Sequence, residues 1–426
     1  MFWLQRRRLQ AFLKNSLWVV PVLCMLAALI AAPLTRTWNS QLEVRLLHFG
    51  LQGARAIVGV IAAAMLSFVV FFFSVLLVTV QIASGNLSPR VIARPFQSGV
   101  LKACLGLFVF TFMYGTAVLG RLEDRVLEIP VFLTVILSIV SIATFLFVVE
   151  FVGKQLRPAT VVAKVAREGL KVIRAVYPLP WSGASSSPNH ALPKGSFRRA
   201  IPHTGAPGVV VAFHLDRLFA LAVKHDCVIE LVPQVGDFVP TGAPLFRIHS
   251  GGERLRSNEL RNAILLGRER TLEQDPAFAF RIIIDIGEKA LSAAINDPTT
   301  GVIAIDQIQC LLQEVGQRDL STGEVIDAGG RLRLVYRTPN WEDFVSLAVS
   351  EIRQYGGCSV QVVRRLSSML VSLIAVLPAP RVPALQEQLD LLRAGIEKSF
   401  YDPRDRIQAA VADSQGLGAV LPGAVS

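Results

Sequence analysis

The stretch VVFFFSVLLV, residues 69–78, holds ten residues with no charge and a single hydroxyl. It is the centre of an apolar run from Ile57 to Ala83. About 20 apolar residues cross the hydrocarbon of a bilayer as a helix. Working outward, Leu17–Leu34, Val100–Leu119 and Ile129–Val152 show the same character. Inside lipid no water serves the backbone, so each run must satisfy its own N–H and C=O groups as a helix. Residues 1–152 therefore read as a four-span domain (17–34, 57–83, 100–119 and 129–152) set in the lipid bilayer. Arg6, Arg7 and Arg8 before the first run, and Ala31 and Ala32 near its end, imitate a cleavable leader. The run's length, and Pro33 directly after the alanines, favour an uncleaved anchor.

Bulk composition agrees. Hydrophobic residues make up 52% of the 426 and charged ones 18%, where soluble proteins carry roughly 25%. The net charge is +11. No nucleic-acid partner is expected, because no basic stripe is interleaved with aromatics. The basic residues instead mark one side of the membrane. Arg6, Arg7, Arg8 and Lys14 precede the first span, Arg90 and Arg94 lie between the second and third, and Lys154, Arg157 and Lys164 follow the fourth. The other loops mix Arg with Glu43, Glu123, Asp124 and Glu128. The positive-inside rule then places both termini and the large carboxy-terminal part in the cytoplasm, with the spans in an inner (plasma) membrane.

Within the spans, Lys102 and Glu150 are the membrane-embedded ionisable residues, both near a span's end. Ionisable groups in a membrane are candidates for function, yet at this depth they also reach headgroups or one another. Gly59, Ala62, Ala63 and Ala64 in the second span are small enough to pack helices closely, within or between subunits of a homo-oligomer.

Residues 153–207 read as an amphipathic helix and a linker. Over 156–177, Val161, Val165, Leu170, Val172 and Ile173 form an apolar side, and Lys164, Arg167, Lys171 and Arg174 add positive charge. That pattern fits a helix resting on anionic lipid, or a connector packed on the following domain. Residues 208–250 form a β module of runs GVVVAF, CVIELV and PLFRI, rich in β-branched residues between turn signals. VGDFVPTGAPLFRI (235–248) resembles the hairpin half of a barrel-sandwich hybrid, with turns at Gly236 and Gly242 and core positions at Val239 and Leu245. The lysine that such carriers modify has no counterpart at the turn, so no cofactor is expected. His214, His225 and His249, with Asp216, Asp226 and Asp237 nearby, lack metal-ligand spacing, and no metal is expected. The five cysteines are scattered, as in reduced thiols.

Residues 251–401 read as a mainly helical cytoplasmic domain, and 402–426 as a flexible tail. Its most specific string is DIGEKALSAAINDPTTGVIAID, residues 285–306. Phe278, Ile282, Ile283, Ile286, Ala290 and Leu291 recur at helical spacing. Asp275 and Asp297 each stand before a proline, the N-cap pattern of two successive helices. Asn296, Thr299 and Thr300 line the second helix's start, a place suited to small anions. Asp285 and Asp306 add acids. The plainer reading is a capped helix-turn-helix joint, with Asp285 paired to Arg281 or Lys289.

EQDPAFAFR (273–281), DIGEKALSAAINDPTT (285–300) and TPNWEDF (338–344) resemble the domain of unknown function 2254 family of predicted bacterial membrane proteins, over most of the chain. In that family a similar string follows four hydrophobic segments. Ala293 departs from it, standing where Pro is usual. The resemblance implies architecture and no activity. The fold class expected is four transmembrane helices plus a cytoplasmic α+β domain with a barrel-sandwich-like module and a helical region. The first functional expectation is an oligomeric channel, transporter or sensor gated by that domain. The second is a membrane-bound enzyme using Asp285, Glu288, Asp297 or Asp306. The third is a scaffold for a protein partner.

Overall fold

A computed structural model describes residues 16–41, 50–86, 98–122, 127–155, 157–183, 197–320 and 322–418. The chain divides into two compact units, residues 2–160 and 161–426.

Among the described residues the first unit holds four helices long and apolar enough to cross a membrane. They are α1 (Val19–Gln41), α2 (Leu51–Asn86), α3 (Gly99–Leu119) and α4 (Glu128–Gln155). Half of the α3 span is buried, against 11%, 22% and 28% for the others, so α3 is the centre. It packs on all three neighbours. Near one end, Ala28, Ala32, Ala54 and Val58 meet Tyr114, Val118 and Val131. Near the other, Phe72, Leu76, Leu101, Phe108 and Val148 form a second cluster. Phe68 stacks on Phe145 at 4.7 Å. Gly106 is what lets α1 approach α3, since a Cβ there would meet Cys24 Sγ at 2.9 Å. Of the small residues in the second span, Ala62 turns inward towards Gly115, while Ala63 faces outward and Gly59 has open space beside it.

Hydroxyls tie the bundle. Thr35 and Tyr114 share a hydrogen bond at 2.8 Å, and Thr111 and Ser141 one at 3.2 Å. Such interhelical bonds stabilise packing where lipid offers no hydrophobic drive. Arg55 Nε, in the first turns of α2, donates to the Leu122 carbonyl just past α3 at 2.7 Å, filling an acceptor that the helix end leaves open.

The second unit begins within α5 (Pro158–Val176). Val161, Val162, Val165, Ala166, Gly169 and Ile173 of α5 are buried. Its apolar side is thus taken up by protein. A Cβ on Gly169 would stand 2.7 Å from that of Ala279 and 3.2 Å from Leu311 Cδ2. Arg174 clamps Glu314 through two hydrogen bonds at 3.1 and 2.9 Å.

Among the described residues eight strands follow: β1 (Arg199–Pro202), β2 (Gly208–Phe213), β3 (Val228–Leu231), β4 (Phe238–Val239), β5 (Pro244–Ser250), β6 (Ile264–Gly267), β7 (Glu324–Ile326) and β8 (Leu332–Tyr336). They form one sheet in the order β1-β5-β3-β8-β7 and another in the order β4-β2-β6. Neither sheet closes, and the barrel-sandwich module is not confirmed. The reason is recruitment from a distance. β8 pairs parallel to β3, and β1 joins from within the stretch expected to be linker. Gly236 and Gly242 do take turns, at φ 93° and 87°, which non-glycine residues rarely adopt. Val239 and Leu245 are buried in the core between the sheets and α6 (Leu215–Lys224).

After the short α7 (Ser257–Arg261) come α8 (Pro276–Leu291), α9 (Pro298–Gly316), α10 (Trp341–Gly356), α11 (Val360–Val376), α12 (Val382–Ser399) and α13 (Pro403–Ala410). α8 packs on α9 and α10, and α11 on α9, α12 and α13. The tail expected to be loose from residue 402 instead folds as far as Gly418. Asp413 accepts from the N–H groups of Gln415, Gly416 and Gly418 at 2.9, 3.1 and 2.8 Å, and Arg364 of α11 donates to the Val411 and Gly418 carbonyls.

Gly169→Ala puts a methyl into a contact between two backbone-fixed groups. We expect it to cost about 1–3 kcal/mol, read as a lowered thermal midpoint of the purified chain. An unchanged midpoint would show that α5 does not lie on α8.

Candidate functional site

Local signals build the α8–α9 pair. Asp275 caps α8, accepting from Phe278 N–H at 3.0 Å. Its carboxylate is buried and also holds Arg270, at 2.5 and 3.1 Å. Pro276 follows at the first helical position, where no N–H is missed. The helix ends at Ser292, whose hydroxyl donates to the Lys289 carbonyl at 2.7 Å. The chain then turns back through Asn296 at φ 49°, a left-handed conformation that Asn tolerates better than most residues. Asn296 N–H reaches the Ser292 carbonyl at 2.8 Å, and Asp297 N–H reaches Ala290 at 2.7 Å.

Asp297 caps α9. Thr300 donates to it twice, by backbone N–H at 3.1 Å and by hydroxyl at 2.5 Å. The place where a small anion was expected therefore holds the chain's own carboxylate. Thr300 is buried in this cap, whereas Asn296 and Thr299 are exposed at the tip.

The remaining acids are paired elsewhere. Asp306 accepts from Arg365 Nε of α11 at 2.7 Å, and the same guanidinium reaches Gln309 at 2.6 Å. Asp285 accepts from Arg281 Nε at 2.5 Å, the pairing one turn away that the spacing predicts. Arg281 also bonds Glu288 at 2.9 Å and Glu351 of α10. One guanidinium thus stands among three carboxylates. Burial, then the hydrogen bond with Glu351, push the Glu288 carboxyl up to about 7, with Arg281 opposing. Glu351 lies on a helix that sequence spacing does not connect to α8, and no local signal announces it.

These acids do not converge. Asp275 and Asp297 stand at opposite ends of α8, whose 16 residues make it about 24 Å long. Lys102 is buried on α3, at 6% exposure, and Glu150 is exposed on α4 and paired with Lys154. Among the described residues no group of three His, Cys, Asp or Glu side chains is arranged to hold a metal. His214 caps α6, its Nδ1 accepting from Arg217 N–H at 3.4 Å, and His249 bonds Glu230 at 2.8 Å. Burial pushes the Cys227 thiol up to about 11, away from thiolate chemistry. A groove of about 550 Å³ beside α7 is lined by Arg199, Arg256, Ser257, Asn258, Glu259 and Asn262, none of them among the acids above.

A family model described as predicted membrane protein (DUF2254) matches residues 14–372. The chain belongs to that family. The match takes in all four apolar helices and runs into α11. Uncharacterised proteins of Mycobacterium bovis and Mycobacterium tuberculosis are 26% identical over 427 residues, covering 94% of this chain and 80% of theirs. No solved structure matches. The DUF2254 description agrees with the four spans and assigns no chemistry to the α8–α9 joint.

Two outcomes follow from this geometry. Asp297→Ala removes a cap and should lower stability by about 1 kcal/mol, measured by denaturant unfolding of the purified chain. For Glu288 the folded state holds its proton more tightly than the ordinary carboxyl near 4.5. Its stabilisation is complete below pH 4.5 and is lost as pH rises through about 7. Glu288→Gln should therefore flatten the fall in thermal midpoint across that window, and a parallel fall in both proteins would refute the assignment.

Proposed function

We propose that this chain is a multi-pass protein of the plasma membrane, with both termini and the second unit on the cytoplasmic side. In this reading it assembles as a homo-oligomer, and the second unit senses a solute or partner and gates the four-helix unit as a channel or transporter. One observation carries the proposal. α4 ends at Gln155 and α5 opens at Pro158, three Cα steps or at most about 11 Å of chain. Gly169 then sits against Ala279 of α8 and Leu311 of α9, and Arg174 is clamped to Glu314 of α9. A shift of the α8–α9 pair is passed to α5, and by chain connection to the last span. The distribution of basic residues supports the cytoplasmic side. The reading as an acid-based enzyme has less behind it, because its acids are spread over a helix cap at Asp297, an ion pair at Asp306 and a shared guanidinium at Asp285 and Glu288.

The test is solute or ion flux in vesicles containing the purified chain. We expect flux that Glu314→Ala changes while the protein stays folded. No flux across a panel of ions and small solutes, from protein with an intact thermal transition, would remove the channel reading.

A further inference from the structure

The basic residues of α5 are placed apart from its buried side. At about 100° per residue, Lys164, Arg167 and Lys171 fall on the side of the helix opposite Val162, Val165, Gly169 and Ile173. Arg157 stands just before the helix begins. Arg157, Arg167 and Lys171 are exposed and Lys164 is half-buried. Lys164 and Lys171 have no ion pair among the described residues, and Arg167 turns back only to the Ala163 carbonyl at 3.4 Å. Arg174 differs, since Glu314 holds it. Between 157 and 176 there are five basic residues and one acid, Glu168. The stripe spans about 10 Å between Lys164 and Lys171, and its helix opens three residues after the end of the last span.

We propose that this stripe binds the headgroups of anionic lipids. The mode differs from that of an interfacial amphipathic helix. No apolar face inserts, because that face is already buried in protein, and attraction is by charge alone. Each basic side chain near an anionic surface strengthens association on the order of fivefold, and the attraction decays within a Debye length of about 10 Å at 0.1 M salt. α5 then responds to lipid charge as well as to the body it is packed in. The proposal rests on membrane anchoring and not on the channel reading, so absent flux leaves it standing.

The experiment uses the full chain in nanodiscs of phosphatidylcholine alone or with phosphatidylglycerol, and reads amide hydrogen exchange over residues 158–176. Exchange should be severalfold slower in the anionic discs. The slowing should vanish at high salt and in the triple variant Lys164→Gln, Arg167→Gln, Lys171→Gln. If that variant does not fold, Lys171→Gln and the salt series on the unaltered chain decide. Equal exchange in the two discs would overturn the proposal. So would slowing that the folded variant keeps, or slowing that inorganic phosphate reproduces in neutral discs.

Discussion

A backbone in hydrocarbon has no water to bond, and this constraint governs the first unit. It forces each apolar run into a helix and leaves the side chains to decide how helices meet. There the hydrophobic drive is absent, so close approach and hydroxyl pairs do the sorting. Gly106 opens a seat for Cys24, and Thr35 and Thr111 find Tyr114 and Ser141. α3, the least apolar of the four by mean hydropathy at 1.6, is the most buried. The helices with more lipid-like surfaces surround it.

The second unit is held together by a different chemistry. The acids of its α8–α9 region serve as caps and ion-pair partners. Asp275 and Asp297 satisfy helix starts, Asp306 draws α11 to α9 through Arg365, and Asp285 and Glu288 share Arg281 with Glu351. This last cluster joins α8 to α10 with three carboxyl groups around one guanidinium, and a proton on Glu288 relieves the excess negative charge. The acids at the joint are taken up by caps and ion pairs, which is why the proposed gating runs through packing against α5 and not through chemistry at the acids.

Much of this was legible in residues close together in the chain. The four spans came from run length, the helix starts at Asp275 and Asp297 from Asp-Pro pairs, and the Arg281–Asp285 pair from i,i+4 spacing. At 235–248 the turns and core positions were legible, but the sheets they enter depend on partners elsewhere. Strand β1, in a segment rich in Pro and Ser, carried no periodicity to reveal it. The packed tail was equally silent, since Gly416 and Gly418 are read by Arg364 and Gln361 of a distant helix.

By itself the sequence determined where the chain must be helical in lipid and where helices start, because those outcomes depend on solvent and on groups a few residues apart. The tertiary structure alone decided that β3 pairs with β8, that Arg281 gathers Glu351, and that the apolar side of α5 is spent on protein. An amphipathic pattern states that a face will be buried, but the partner that buries it is chosen by shape and charge across the whole fold.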